Sequence, residues 1–522
     1  MEQLDPADAA DNIARRLLEQ AACFAPSMPI PRRLLLGTIL SDDEEDLEAV
    51  IQAEDGLARL VALGFLRREG TETVVIHRLV AAFANELSAT NEAGIAAVGN
   101  MLVKVLSRSL DQQGHLGQLP IAAYHLSHVT NMALSAKAPV ALHLSTLFAH
   151  HLRDVADYEG AREVLQRVLV VPGLTDDPQE LAEAWAGLAR VQRSLGQDRE
   201  SLNSAEQAER LVRTADVFSP NLLAYILHRK GWSLFMLGRA EEAIAAAEEA
   251  LALSQKANSN HEMISILNLL CVVHSKLLEQ YEKAVRYNDE ALKIVRETGN
   301  LRAEAALLSN LGELVERQGD FERALQLYQN AINLSKETGN KDKEIGYRAN
   351  LGRVQVLLGA YDQAVETLEG LVSSLPQKTY LFSEVHLSLA GAFLGQGRLD
   401  LALSAGQDVF NHAKLHNPFV MGQAWAMLGR IAAQMRASVR LDPNEDLAYD
   451  AQDCFKQSLE MLSTSRSQWG RASALWHWAE AEFLQGDKVL GEKMWREARD
   501  IFTGLNLPLM VDRMEKQKAA GN

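Results

Sequence analysis

The chain has 522 residues, more than one hydrophobic core usually serves, so several domains or a repeat array are expected. With 47% hydrophobic and 23% charged residues it is not a largely disordered chain. Its formal net charge of −17 argues against non-specific binding to nucleic acid or anionic lipid. Ala, Leu, Glu, Arg and Gln dominate and there are only 13 prolines, a mixture that favours helices because these side chains lose little rotamer freedom there. Cys23, Cys271 and Cys454 are far apart and form no CxxC, which fits buried apolar fillers in a reducing compartment. No run of 18 apolar residues occurs and the acidic opening is not a signal peptide, so a cytoplasmic location is expected.

In chain order, an apolar helix (NIARRLLEQAACFA) comes first, and a Pro–Ile–Pro turn in PSMPIPRRLLLGTIL starts a second. An acidic stretch, Asp42 to Asp46, leads into a third helix ending in LARLVALGFL. Gly70 can then turn a short hairpin whose second arm, Thr73–Ile76, runs into a final helix. Helix–helix–helix–hairpin is the order of a winged helix, and residues 1–90 are assigned to such a domain. CFAPSMPIPRRLL, LVALGFL and VIHRLVAAFA resemble the winged-helix segment of NB-ARC-type signal-transduction ATPases (the STAND class). That resemblance implies the order effector, P-loop ATPase, winged helix, sensor repeats. This sequence has no GxxxxGK[ST] and no Gly–Lys dipeptide, so the family's ATPase activity is not carried over and no cofactor is expected. Met1 falls where the winged helix would be entered from an ATPase, so an ATPase or effector is expected in a longer protein or on a separate chain. The would-be reading helix, residues 44–63, is acidic, and Arg32, Arg33, Arg67 and Arg68 do not offset it, so a hinge or packing role is expected rather than DNA binding.

Residues 91–136 read as a helical connector or degenerate repeat. Beyond them a phrase recurs, with a small residue, a polar one, then aromatic–acidic–x–Ala opening an apolar-periodic run. It stands as ADYEGA at 156, GRAEEA at 238, EQYEKA at 279, GDFERA at 319, GAYDQA at 359 and GRLDLA at 397, with weaker copies at 196 and 486. The starts from 156 to 397 are 40, 42, 41, 40, 40 and 38 residues apart. The interval 397–486 holds two repeats, the middle turn being replaced by residues 437–451. Trp185, Trp425 and the Leu–Gly pairs at 311–312, 351–352 and 428–429 resemble the W..LG pattern of the tetratricopeptide repeat in its roughly 40-residue variant. The expected fold is therefore all-α: a tetratricopeptide-type α-solenoid of about nine repeats over 137–505, with 506–522 as a polar C-terminal cap or tail.

The resemblance implies that the first helix of each repeat lines a concave groove. Position 9 of that helix is Arg190, Trp232, Glu313, Arg353, Gly391 and Arg430 in the well-aligned repeats. Arg193 is one turn beyond Arg190; Tyr225, His228 and Arg229 precede Trp232; Asn310 and Asn350 occupy position 6. Arginine offers a planar donor fork to carboxylates, asparagine can hold an extended backbone, and Trp and Tyr supply anchors. An acidic peptide or protein partner is expected in this groove; the alternative is an ordinary solvated scaffold face. Arg353→Glu is expected to weaken partner binding without unfolding the array. HLSH at 125–128 and His150–His151 lack a joining carboxylate or cysteine cluster, so no metal is expected; no catalytic motif occurs and no enzyme is expected. Trp476–His477–Trp478 reads as a core and cap feature. Three functions compete: the sensor half of a STAND-type switch, an autonomous adaptor, and a winged-helix transcription regulator.

Overall fold

In the computed structural model the described residues are 4, 8–40, 47–87, 92–113, 119, 121–216, 219–373, 375, 380–413, 418–441, 447–465, 467–485 and 487–521. The expected acidic stretch at 42–46 and the start of the third helix lie outside them. The chain divides into two compact units, Met1–Ser259 and Asn260–Asn522.

Unit 1 opens with α1 (Ala9–Ala21), β1 (Ile30–Pro31), α2 (Arg32–Leu36), α3 (Leu47–Ala62), β2 (Leu66–Glu69), β3 (Thr73–Ile76) and α4 (Arg78–Leu87). Gly70, at φ +74°, turns the β2–β3 hairpin, with Leu66 opposite Ile76. A strand precedes α2 where the sequence shows only a Pro–Ile–Pro turn. Ile30 pairs with Val74, making an antiparallel sheet of order β1-β3-β2, and the Arg32 N–H continues the pairing to the Glu72 carbonyl at 2.8 Å. Pro31 is tolerated because β1 is an edge strand, where a missing N–H costs no ladder bond. Leu17, Phe24, Ile30, Leu35, Leu57, Leu60 and Ile76 form the buried centre.

The connector is α5 (Glu92–Gln113) and, after a π-helical turn at Ala122–Leu126, α6 (Ser127–Ser135). Three helix pairs follow: α7 (Ala141–Asp154) with α8 (Tyr158–Leu169), α9 (Pro178–Ser194) with α10 (Asp198–Thr214), and α11 (Pro220–Met236) with α12 (Ala240–Lys256).

Unit 2 continues the pattern with α13 (Asn260–Lys276) and α14 (Tyr281–Thr298), α15 (Leu301–Gln318) and α16 (Phe321–Glu337), and α17 (Lys341–Leu357) and α18 (Tyr361–Val372). Then come α19 (Tyr380–Gly395) and α20 (Leu399–Ala413), α21 (Pro418–Met435) and α22 (Ala451–Ser465), α23 (Gln468–Gln485) and α24 (Lys488–Gly504), and a last helix, α25 (Pro508–Gly521). Between α21 and α22 the longer turn carries two short strands, β4 (Val439–Arg440) and β5 (Ala448–Tyr449), paired antiparallel.

The recurring phrase is the turn between the helices of a pair. Gly196, Gly238, Gly319, Gly359 and Gly397 all have φ between +73° and +94°, the left-handed conformation that glycine adopts without steric cost. The small residue of the Leu–Gly step lets the two helices of a pair approach closely. A Cβ on Gly312 would stand 2.8 Å from the Tyr328 ring, and one on Gly352 would stand 2.5 Å from Leu368.

The stretch expected as a polar cap or tail forms a docked helix. Met510 and Met514 of α25 are buried, and α25 packs on both α24 and α15. The Arg513 guanidinium lies 4.1 Å from the Phe321 ring centre and donates to the Gly319 carbonyl at 2.7 Å and to Glu322 at 2.6 Å. Nearby, Asn506 donates to Glu282 at 3.0 Å, and the Glu279 carboxylate accepts from Ser467 Oγ at 2.9 Å and Trp469 N–H at 3.2 Å. The last helices of unit 2 thus return to its first ones, and the unit closes on itself. Among the described residues no helix is long and apolar enough to cross a membrane.

Candidate functional site

In unit 1 the first helices of the three pairs, α7, α9 and α11, pack side by side in order. Counting back six residues from each turn gives His150, Arg190 and Trp232; counting back three gives Arg153, Arg193 and Phe235. These positions share one register, so their side chains are neighbours across the three helices.

The structure brings together six of the expected residues. The Arg229 guanidinium lies 4.4 Å from the Tyr225 ring centre, and that of Arg193 lies 4.9 Å from Trp232. Tyr225 is hydrogen-bonded to Arg190. Trp232 donates its indole N–H to His228 Nε2 at 2.9 Å and meets Phe235 edge-on at 5.6 Å. His228 is only 2% exposed, so its part is to orient Trp232 rather than to reach a ligand. A guanidinium stacked on an aromatic face keeps its edge donors available.

The charge balance of this face is unusual. Burial first, then Arg229 and Arg153, pushes the Arg190 guanidinium down to about 10 against the pull of Tyr225. Burial and Arg229 also lower Arg193, with Asp198 opposing. Burial, with Arg153 and Arg190 adding to it, drives His150 down to about 3, so its ring is neutral. The carboxylates beside these groups are Asp154, paired with Arg153 at 3.1 Å, and Asp198, which acts on Arg193. His150 and Arg153 were missed by reading outward from Leu–Gly pairs, which the α7 repeat lacks. The spacing from ADYEGA would have placed His150 level with Arg190.

In unit 2 the expected residues take other roles. Arg353 forms an ion pair with Glu316, which is 3% exposed, and donates to Asn350 Oδ1 at 3.1 Å. A carboxylate buried on the preceding first helix needs a counter-charge, and Arg353, expected in the groove, supplies it. Asn310 donates to Asn268 at 3.0 Å and Asn350 to Ser309 at 3.5 Å, so both tie neighbouring first helices together. Asn310 also lines a cleft of about 540 Å³ with Lys276, Glu313, Arg317 and Phe419. There burial would raise the Glu313 carboxyl, but Lys276 and Arg317 pull it down to about 2. Arg430 and His477 share the walls of two smaller clefts.

The histidines of HLSH serve packing in part: His125 Nδ1 accepts the Ala25 N–H at 3.3 Å, and Nε2 lies 2.9 Å from the Pro29 carbonyl. Among the described residues no three His, Cys, Asp or Glu side chains gather as a metal site requires.

Residues 222–297 and 303–370 match the family model described as tetratricopeptide repeat. Residues 144–229 match the model described as anaphase-promoting complex subunit 5. No curated protein matches the chain. Among solved structures, it is similar to a Signal Transduction ATPase with Numerous Domains (STAND) protein with a tetratricopeptide repeat sensor from Pyrococcus horikoshii. The TM-score is 0.52 at 16% identity, over 97% of this chain and 65% of that one. The apo quorum sensor NprR from B. thuringiensis gives 0.49 at 12% identity, over 69% and 97%. A Rap protein complexed with competence and sporulation factor gives 0.44 at 13% identity, over 78% and 99%. The chain therefore spans a little under two thirds of the STAND protein's length, and at these identities the likeness concerns fold alone. The class is defined: an all-α protein with tetratricopeptide-type repeats arranged as a solenoid.

Proposed function

We propose that the chain is a non-catalytic, cytoplasmic sensor arm whose α9–α11 face takes an acidic peptide or protein segment. The observation that carries this reading is the pair of guanidinium–aromatic stacks, Arg193 on Trp232 and Arg229 on Tyr225, within a face of excess positive charge on an acidic protein. Aromatic anchors beside planar cationic forks concentrate binding energy for carboxylate-bearing partners.

The fold likeness to a STAND protein with a repeat sensor supports placing the arm in a signalling switch. In that scheme residues 1–90 are a winged helix coupling the repeats to an ATPase. Leu79, Phe83 and Leu87, spaced four apart on α4, are exposed and offer such a neighbour an apolar stripe. An autonomous adaptor is the second reading, in which the same face holds a partner without a coupled ATPase.

The test is fluorescence anisotropy of the full chain with acidic, neutral and basic peptide libraries of equal length. Acidic peptides are expected to bind selectively and to lose binding when Arg193→Glu and Arg229→Glu are combined. Equal binding of all three libraries, or none of the acidic one, would refute the reading.

A further inference from the structure

The buried atoms without a hydrogen-bond partner on these first helices include His150 Nδ1 and Arg229 Nε. These two stand with Arg190 and Arg153, on three successive first helices, and Arg190 and Arg229 repel each other. Partly buried charges of one sign need a counter-charge, and buried donors left unmade are costly. The nearby carboxylates do not supply it here: Asp154 is paired with Arg153, and Asp198, though its buried Oδ1 is unpartnered, acts on Arg193 and not on Arg190 or His150. Arg190 and Arg229 are left facing a neutral imidazole that can either donate or accept at Nδ1.

We infer that the α7–α9–α11 junction is an oxyanion site, in which a carboxylate or phosphate sits between Arg190, Arg229 and His150 with Arg153 behind them. The guanidinium forks supply charge-assisted donors, and His150 selects by hydrogen bonding rather than by charge. The site rests on the groove reading for its surface, but it fixes where on that surface the negative group of a ligand is held. His150 and Arg153 become the residues that separate a discrete anion site from a diffuse basic face.

The experiment uses the full chain with two probes, inorganic phosphate and succinate, each titrated by calorimetry and thermal melting against potassium chloride of equal ionic strength. Saturable binding of at least one probe beyond chloride is expected; which one is tighter separates a phosphorylated from a carboxylate source. Arg190→Gln and Arg229→Gln should each weaken it by about tenfold to a hundredfold. Without anion, Arg190→Gln should melt no lower than the parent chain, because it removes repulsion; a purely structural arginine would melt lower. No probe effect beyond chloride, or a probe affinity in both variants equal to that of the parent chain, would overturn the site. Acidic peptides that bind but are not displaced by either probe would sink this inference and leave the groove reading standing. Probes that bind while acidic peptides do not would do the reverse.

Discussion

Arg353 of α17 is ion-paired to Glu316 of α15, and the Tyr328 hydroxyl donates to the same carboxylate at 3.2 Å. Arg353→Glu is therefore expected to destabilise the array rather than merely weaken a partner. It leaves Glu316 uncompensated beside a second carboxylate, a loss of about 3–5 kcal/mol for breaking a buried pair. Urea denaturation of unit 2 signals measures it, and an unchanged midpoint would contradict the assigned role. The double change Arg353→Met with Glu316→Gln should recover most of the loss.

Trp232 is held by His228 and carries Arg193 on its face. Trp232→Ala is expected to weaken acidic-peptide binding by about thirtyfold or more, as for an interface anchor. The far-UV spectrum should stay the same; binding within twofold of the parent would remove Trp232 from the site.

Two acid-sensitive groups act in pH windows that overlap only between about 4.5 and 3. His150 is neutral in the fold down to about pH 3, whereas a free histidine takes its proton near 6.5. The unfolded chain thus binds this proton first, so stability is full above 6.5 and falls as pH drops from 6.5 towards 3. His150→Phe should flatten that fall, by up to about 1.4 kcal/mol per pH unit for the one proton. Glu313 behaves in the ordinary carboxylate sense. Held at about 2 against 4.5, it contributes stability above 4.5 that is lost as pH falls through 2. Glu313→Gln should change only that lower window; denaturation midpoints from pH 7 to pH 3 distinguish the two.

Cys23, Cys271 and Cys454 are buried thiols outside any disulfide, and burial pushes each up to about 12. All three should resist a thiol reagent at pH 8 in the folded chain and react together in denaturant; rapid native labelling of any one would contradict its burial.

The repeat was legible because its signals are local. A glycine at positive φ in the turn, a small residue facing Tyr328 or Leu368, and an apolar stripe every three to four residues are each fixed within one pair. Two turns show how far the pattern bends: Ala156 and Glu279 take the glycine's place at φ +64° and +50°. The clustering of Arg190, Arg193, Arg229, Tyr225 and Trp232 was legible for the same reason, since register places them on neighbouring helices. What was not legible depends on partners far away in sequence. Nothing near Arg353 says that Glu316 is buried, nothing near Pro31 says that Val74 pairs beside it, and nothing in RMEKQKAAGN says that Arg513 reaches Gly319.

That last contact bears on how unit 2 comes apart. An open repeat array behaves as a one-dimensional chain whose ends can fray while the middle stays folded. Bonds between residues 190 and 194 positions apart, Trp469 to Glu279 and Arg513 to Gly319, join the two ends. Its final helices cannot melt without exposing its first, so hydrogen exchange should be uniformly slow across α13–α25 and release in one step. Ending the chain at residue 505 together with Glu279→Ala, which removes both sets of bonds, would restore a gradient of protection, slowest at α17 and α18 and fastest at both ends.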